Sequence, residues 1–543
     1  MGPRTEEQFF RPDLRLRCIF GVLGLLNFAA ALDATSLSVA IPTIAEDLGG
    51  TSVEAFWSGT SFLVCSCVFQ PVFTLSSAIF GSTRMLFAAV LAFTLGAILA
   101  AVAQGFTLLL IGRCIQGVGG GGIIALTEVL IADLIPLQER GKWMGFRALT
   151  WAFGTVIGPV IGGALAEHAW RWIFWINLPF CGLGLVLIPL VMRLRRDNSP
   201  LWSRLATVDY VGSVLFVASL SSFLVPLSWG GIMYRWSSWH TLVPLILGAA
   251  GLAIFAVYEA AVPSNPLIPL KIFRTPTTAI NYLGCFLHGM IMWCVLYYLP
   301  LYYEASLGYS AVIAGVAILP LTLTVAPLSA ATGVLIAKTH RYRSVIWFGW
   351  AMATLGAGIM YLLDAETTIL QWIFLTLISG IGLGSLFTSM MLAVQASADP
   401  AFLSITASMA AFFRTLGQTI GVTIGGVIFQ NRVRVELARH PSLSAQASEL
   451  AQDAASLVQY IQRLPHGAGV AGTDERAILE ESYASALGIV WATLCGLAGL
   501  GLITSLLTKE YPMVQAFRPQ QGIRDEAGQD RRGIYISDDL SLR

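Results

Sequence analysis

Fourteen long apolar runs, separated by mostly short polar segments, dominate the chain. An α-helix rises 1.5 Å per residue, so about 20 apolar residues cross a hydrocarbon core roughly 30 Å thick. The runs meet that length. The pattern predicts membrane-spanning helices at residues 18–44, 55–78, 85–104, 107–133, 143–166, 173–192, 208–228, 242–262, 276–303, 311–336, 344–363, 368–394, 402–429 and 484–508.

A faint internal repeat suggests how these helices are grouped. A glycine with nearby basic residues occurs in "SSAIFGSTRML" after the second run and in "TGVLIAKTHRYRSV" after the tenth. Repeated halves are typical of secondary transporters. An arrangement of six, two and six helices makes the two connections equivalent. It predicts an N-terminal tail (1–17), a six-helix bundle (18–192), two linker helices (193–275), a second six-helix bundle (276–510) and a C-terminal tail (511–543).

The longest connection, residues 431–483, follows the thirteenth run. Its segment "SAQASELAQDAASLVQYIQRL" has mixed helical periodicity. The sequence leaves two alternatives open, a helix lying on the protein surface or an irregular loop.

Composition supports a membrane protein. Of 543 residues, 56% are hydrophobic and 12% are charged, whereas soluble domains carry about 25% charged residues. The formal net charge of +1 argues against a nucleic-acid partner, which requires a basic surface. The eight cysteines lie in or beside apolar runs and are interpreted as small core residues. Their spacing predicts no metal site and no disulfide framework.

Basic residues collect in alternate connections, which predicts the orientation. Cytoplasmic loops of membrane proteins are enriched in Lys and Arg. One set of connections holds Arg84, Arg140, Lys142, Arg193, Arg195, Arg196, Arg204, Lys271, Arg274, Lys338, Arg341 and Arg343, and the other set of short connections holds only Arg171 and Arg235. The first set is therefore predicted to be cytoplasmic, together with both termini.

Asp33 and Arg113 are charged residues inside apolar runs. Asp33 lies roughly 22 Å from the cytoplasmic start of its helix and Arg113 about 21 Å from the same surface, at 1.5 Å per residue. Two opposite charges at one depth can offset each other's desolvation. The pair is either a fixed contact that pins two helices or a switchable contact. Because ionisable residues within membrane helices commonly mark functional pathways, the second interpretation is favoured.

Two glycine-rich segments predict close helix packing. "GVGGGG" follows Arg113 in the fourth run. "GTVIGPVIGG" in the fifth run contains Gly154, Gly158, Pro159, Gly162 and Gly163. Three of these glycines are four residues apart and share one helix face. Small residues allow helix backbones to approach closely, and a proline permits a bend.

These motifs resemble a known family. "LIGRCIQGVGG" and "GTVIGPVIGG" closely resemble two signature motifs of major facilitator superfamily transporters, and the second resembles the motif of its antiporters. "LDATSLSVAIP" resembles the first helix of the fourteen-span drug:proton antiporters, and "ALTEVLIADLIPLQERGKW" resembles fungal toxin and multidrug efflux pumps. "WRWIFWINLP", "DYVGSVLF", "YYLPLYYEASLGYS" and "FRTLGQTIGV" follow in family order. The resemblance covers roughly residues 18 to 510.

The resemblance implies an all-α major facilitator fold of 14 transmembrane helices in two six-helix bundles with two helices between them. It implies that Asp33 is the proton-responsive carboxylate and that Arg113 is its partner. The cytoplasmic loop after the second run departs from the family pattern, because Ala78 stands where an acidic residue or Asn is expected. Asp133, Arg140 and Lys142 in the next cytoplasmic loop are therefore predicted to take part in gating.

Polar and aromatic residues within the predicted membrane helices are candidates for the lining of a substrate cavity. A cavity with such a lining suits bulky, partly apolar compounds. The candidates are Phe62, Gln70, Trp151, Trp293, Tyr297, Tyr298, Gln395, Arg414 and Gln418. His288 is expected to be a hydrogen-bonded buried histidine. Glu128 and Arg147, near the cytoplasmic ends of their helices, are expected to be hydrated charges.

The predicted function is proton-coupled export of small, partly apolar organic compounds by alternating access. No enzyme activity and no cofactor other than the proton gradient is expected, since no nucleotide-binding loop or catalytic motif appears. Two alternatives stay open: a related carrier for siderophores or vacuolar basic amino acids, and a non-transporting receptor on the same scaffold. We expect a monomer in the plasma membrane, with the vacuolar membrane as the alternative.

Overall fold

The computed structural model describes residues 12–49, 52–192, 194, 201–231, 233–263, 265–451, 454–465 and 473–513. Fourteen helices within these ranges are long and apolar enough to cross a membrane, which confirms the predicted fold class. Numbered α1 to α14 in chain order, the main helices of these spans are Leu14–Asp47, Ser52–Phe80, Ser82–Ala101, Phe106–Leu134, Leu137–Ala169, Asn177–Val191, Tyr210–Trp229, Trp239–Ala261, Pro276–Ala305, Leu319–Thr339, Arg343–Ile359, Ile369–Ala396, Leu403–Ala438 and Thr473–Ser505. The sixth span also includes the short helix Trp172–Trp175, and the tenth begins at Val312 in the short helix Ala311–Ala317.

The long helices pack as two halves with a helix pair beside them. In the first half, α1–α6, the helix α1 runs along α5, and α4 packs against α2 and α3. In the second half, α9–α14, the helix α9 packs against α13, and α12 packs against α10 and α11. The halves meet where α5 contacts α10 and where α2 and α4 contact α13. The helix α7 lies against α2 and α13, and α8 packs on α7.

The glycines of α4 explain how the first half packs so closely. A side chain at Gly117 or Gly121 would collide with the backbone of Phe62 or Ser66 on α2, and one at Gly119 would collide with Phe93 on α3. The helix therefore uses glycine on two faces, and the packing role predicted for "GVGGGG" is confirmed.

One end of the bundle carries the short connections rich in basic residues, and we call it the basic end. At this end Arg15 donates a hydrogen bond to the Val191 carbonyl, and Thr83 donates one to the Met192 carbonyl. These contacts bring the start of α1, the start of α3 and the end of α6 together. The basic end is the end predicted to be cytoplasmic.

At the opposite end, Asp47 joins α1 to the turn before α6. Its Oδ2 accepts hydrogen bonds from Trp170 Nε1 at 3.0 Å and from Arg171 Nη1 at 2.9 Å. These hydrogen bonds, that of Trp170 first, lower the pKa of the Asp47 carboxyl from its ordinary value. Arg171 also donates to the Ala103 carbonyl, so a single side chain ties together three connections.

The long connection is partly helical. The helix Ala454–Arg463 buries Leu457, Val458 and Ile461 and contacts α9. Arg476 on α14 donates to the carbonyls of Ile461 at 3.3 Å and Leu464 at 3.0 Å. Of the two alternatives for this segment, the surface helix is therefore the one found over Ala454–Arg463.

Candidate functional site

The structure brings Asp33 of α1 and Arg113 of α4 into contact. Arg113 Nη1 lies 2.6 Å from Asp33 Oδ2, and both side chains are at most 1% exposed. The similar depths estimated from the sequence agree with this contact. A buried ion pair is favourable only when its remaining hydrogen-bonding groups are satisfied, so the neighbours of the pair decide its character.

Neutral groups complete the hydrogen bonds of this pair. Asp33 Oδ1 accepts from Gln116 Nε2 at 2.8 Å and from Asn177 Nδ2 at 2.9 Å. Arg113 also donates to Gln116 Oε1 and, through Nε, to the Ser58 carbonyl at 2.8 Å. We call these five residues the Asp33 cluster. Four helices, α1, α2, α4 and α6, contribute to it, so it lies inside the first half.

Sequence reasoning missed Gln116 and Asn177. Both are neutral, and neither stands out in an apolar run as a charge does. A signal was nonetheless present, since Gln116 follows Arg113 by three residues and such residues share a helix face. Asn177 lies in "WRWIFWINLP", one of the motifs that carry the family resemblance.

Phe62 packs against the Asp33 cluster inside the first half and not in a cavity between the halves. Its ring centroid lies 4.6 Å from Arg113 Cζ, in the arrangement of a cation–π contact. A Cβ at Gly120 of α4 would collide with the same ring. The assignment of Phe62 as a cavity residue is therefore corrected, because its face of α2 points toward α4.

The glycines of the antiporter-like motif line the side of α5 that packs on α1. A side chain at Gly154 would collide with Ala31 and the Phe28 carbonyl, and one at Gly162 would collide with the Ser36 carbonyl. Gly158 meets Thr35 in the same way, and Gly163 is buried. Pro159 points elsewhere, since its Cβ lies against Gly315 of the second half. The glycine stripe thus runs alongside Asp33, while Pro159 faces the other half.

A second set of charges lies where the two halves meet. Arg147 Nη2 of α5 is 2.8 Å from Glu128 Oε1 of α4, and the two side chains are 9% and 0% exposed. Arg147 Cζ also lies 5.5 Å from the ring centroid of Phe387 on α12. The expectation that Glu128 and Arg147 are hydrated is therefore wrong, because neighbouring helices cover them.

Arg414 of α13 also contacts the Phe387 ring. Its Cζ is 4.1 Å from the ring centroid, and its Nη2 donates to the Phe387 carbonyl at 2.9 Å. His288 of α9 is fully buried beside the same ring, with Nε2 3.0 Å from the Leu383 carbonyl. The expectation of a hydrogen-bonded buried histidine is confirmed.

Uncharged contacts join the halves toward the basic end. Gln70 Nε2 on α2 donates to Thr415 Oγ1 on α13 at 2.9 Å, and the hydroxyls of Thr74 and Ser408 are 2.5 Å apart. Gly141 on α5 and Gly333 on α10 are so close that a side chain on either would collide with the carbonyl of the other. This end of the contact surface between the halves is closed.

Arg140, among the predicted gating residues, reaches the other half. It is 1% exposed and donates to Gln395 on α12 at 3.1 Å and to the carbonyls of Ile135 and Ala132. Asp133 is buried near Arg140 and interacts with it electrostatically. Lys142 forms an exposed ion pair with Glu139 on its own helix. The structure therefore connects Arg140 to the second half, whereas the ion pair of Lys142 is local to α5.

The remaining residues predicted to line a substrate cavity lie in different parts of the molecule. Gln70, Gln395 and Arg414 lie where the halves meet, as described above. Tyr298 instead donates to the Val422 carbonyl at 3.0 Å and makes an edge-to-face contact with the ring of Tyr297 within the second half. Trp293 is 7% exposed, and Trp151 and Gln418 are half-buried.

Comparison with known proteins agrees with this arrangement. Residues 23–422 match the sequence profile of the Major Facilitator Superfamily. The "MFS transporter L2" of a Phoma species is 46% identical over 528 residues, which cover 97% of this chain and 87% of that protein. The "Efflux pump FUS6" of Gibberella fujikuroi is 32% identical, with 94% of this chain and 92% of that one covered.

A solved structure shows the same fold. The proton:xylose symporter XylE aligns with a TM-score of 0.55 at 13% identity, over 92% of this chain and 96% of that one. The fold and the site thus define a multi-pass membrane transporter. The chain belongs to the Major Facilitator Superfamily.

Proposed function

We propose that this protein is a proton-coupled antiporter that exports small, partly apolar organic compounds by alternating access. The observation that carries the proposal is the Asp33–Arg113 ion pair, buried inside the first half at 2.6 Å. A relative named as an efflux pump, 32% identical over nearly its whole length, supports the direction of transport. The fungal relatives point to secondary metabolites or toxins as cargo.

The neighbours of Asp33 suggest how a proton is coupled to movement. The ionised carboxylate accepts hydrogen bonds from Arg113, Gln116 and Asn177. Protonation removes the negative charge and with it most of the attraction to Arg113. The helices α1 and α4 then lose their strongest mutual contact. A proton on Asp33 therefore favours a different packing of the first half.

The helix α5 can transmit that change to the other half. Its glycine stripe lies on α1 beside Asp33, whereas Gly141, Gly145 and Pro159 of the same helix face the second half. A shift of α1 therefore moves the contacts of α5 with α10. Movement of the halves around a central site is the usual basis of alternating access.

The proton gradient supplies the driving force, and no cofactor is proposed. A membrane potential contributes about 2.3 kcal/mol per elementary charge per 100 mV. We place the protein in the plasma membrane as a monomer, with the basic end and both termini in the cytoplasm. In that orientation protons enter as cargo leaves.

Liposomes containing the purified chain provide the test. An imposed pH gradient is combined with a panel of anionic, neutral and cationic aromatic compounds, and proton movement is followed with an entrapped pH-sensitive dye. We expect gradient-driven accumulation of cargo by the wild type. Asp33→Asn and Arg113→Ala should abolish accumulation, and Glu366→Gln, which changes an exposed carboxylate, should not.

Two outcomes would count against the proposal. Uphill transport at the normal rate in both Asp33→Asn and Arg113→Ala would show that this pair does not couple protons. Saturable binding without flux of any compound would favour a receptor.

A further inference from the structure

The charges between the two halves do not balance. Arg147 and Arg414 contribute two positive charges, and Glu128 contributes one negative charge. His288 adds no charge when its Nε2 donates to the Leu383 carbonyl and its Nδ1 carries no proton. We use the name interface cluster for five residues, Arg147, Glu128, Arg414, His288 and Phe387. Its net charge is +1.

Arg414 is the source of the surplus. Among the described residues it has no carboxylate within ion-pair distance, and its contacts are the Phe387 ring, the Phe387 carbonyl and the Cys285 sulfur. Its side chain is 4% exposed, and its Nε has no hydrogen-bond acceptor among the described residues. Such a guanidinium is unusual, since buried charges are normally paired.

The cluster lies within the membrane-spanning helices and between the two halves. Arg147 lies ten residues beyond Leu137, and Arg414 lies eleven residues beyond Leu403. At 1.5 Å per residue these distances are roughly 15 and 17 Å from the ends of α5 and α13 at the basic end. Glu128 lies six residues before Leu134, or about 9 Å from the end of α4. A group bound there would contact both halves.

We propose that the interface cluster recognises a carboxylate group on the exported compound. A guanidinium binds a carboxylate through paired, charge-assisted hydrogen bonds, and it does so best where water is excluded. Arg414 supplies the uncompensated charge, and Phe387 provides an apolar wall. Glu128 forms an ion pair with Arg147, so the charge without an ion-pair partner among the described residues of the cluster is positive and favours an anionic group. The inference rests on the proposed export function and narrows its substrate class.

Asp33 does not offer a competing site for a cation. It is fully buried inside the first half, and its two oxygens accept from three donors. The residue proposed to respond to protons and the residues proposed to bind cargo are therefore different groups, which allows them to be tested separately.

The test is ligand binding by the purified full-length chain in detergent, without a pH gradient. The probes are 1-naphthaleneacetate, 1-pyrenebutyrate and cholate, and each is compared with its uncharged carboxamide. The readout is the concentration of the compound that is needed to raise the Tm of the protein. We expect the acids to act at lower concentrations than their amides. Arg414→Gln should weaken the effect of the acids by about tenfold or more, the scale of one lost charge-assisted contact, and leave the amides unchanged.

Two further variants serve as controls. Arg414→Lys keeps the positive charge and should retain part of the preference for acids, whereas Arg434→Gln removes an exposed arginine at the far end of the same helix and should retain all of it. An unchanged response to the amides shows that Arg414→Gln is folded.

The proposal is overturned if the wild type responds no better to the acids than to the amides. It is overturned equally if Arg414→Gln retains the full preference. Because no gradient is used, selective binding of acids by a chain that shows no proton-driven transport would reject the proposed function and keep this inference. Proton-driven transport without any preference for acids would keep the proposed function and reject this inference.

Discussion

Asp33 and Arg113 show why charged residues persist in an apolar interior. Each alone costs about 2.5–3.5 kcal/mol at the centre of a membrane helix. Together they share one short ion pair, and Gln116, Asn177 and the Ser58 carbonyl form further hydrogen bonds with them. The arrangement stabilises the two residues as a pair, so removal of only one of them should lower the stability of the protein.

Removal of one partner should therefore be worse than removal of both charges. Arg113→Met leaves the buried Asp33 without its counter-charge, and a change of this type lowers the free energy of unfolding by about 3–5 kcal/mol. Adding Asp33→Asn removes the uncompensated charge and should recover part of that loss. Thermal unfolding of the purified variants measures the difference. A double variant no more stable than Arg113→Met would contradict this account.

At the residue scale, the sequence predicted the contact between two charged residues better than it predicted which helices surround a residue. The depths of Asp33 and Arg113 along their helices were enough to predict that they meet. Depth does not reveal which neighbouring helix a residue faces, and for that reason Phe62 was placed in the wrong part of the molecule. Glu128 and Arg147 were judged by their distance from the helix ends, which does not account for the helices that cover them.

The helix α5 packs against α1 of the first half and against α10 of the second half. One face carries Gly154, Gly158 and Gly162 against α1, and another carries Gly141 and Gly145 against α10. Glycine is needed at these positions because helix backbones approach where a side chain would stand. The helix α5 therefore links the Asp33 cluster to the second half.

A methyl group on the glycine stripe should destabilise the protein. At Gly162 the added Cβ would collide with the Ser36 carbonyl, a backbone atom that cannot rotate away. We expect Gly162→Ala to cost about 1–3 kcal/mol, as overpacking does. Gly182→Ala in α6 is the matched control, because a Cβ there meets nothing within 4 Å. Equal Tm values for the two variants would show that α1 and α5 are not tightly packed.

At the element scale, apolar length was sufficient to predict all fourteen long helices. It failed at the ends of α13 and α14, predicted as 402–429 and 484–508 but found as Leu403–Ala438 and Thr473–Ser505. The extra turns are polar and extend beyond the apolar runs. Local ion pairs support them, such as those of Glu436 with Arg432 and Arg439. Hydrophobicity cannot report such extensions.

For the whole molecule, the basic end is closed although Ala78 stands where the family pattern expects an acidic residue or Asn. Ala78 is exposed and cannot contribute a charge. The halves instead meet through Gln70 and Thr415, Thr74 and Ser408, the close approach of Gly141 and Gly333, and the hydrogen bond from Arg140 to Gln395. Each of these contacts has at least one neutral partner, and such contacts can separate at less cost than buried ion pairs. The loss of the family's acidic residue is therefore compatible with a closed end that still opens.

If the closed basic end is one state of a transport cycle, holding it shut must stop the cycle. The Thr74 and Ser408 hydroxyls are 2.5 Å apart, so cysteines at both positions lie within reach of a disulfide across the halves. We expect oxidation of the Thr74→Cys/Ser408→Cys variant to abolish transport in liposomes and reduction to restore it. The two single variants control for the native cysteines and should be insensitive to oxidation. Mass spectrometry establishes that the disulfide has formed. Full transport by the cross-linked protein would mean that these helices need not separate, and alternating access through this end would have to be abandoned.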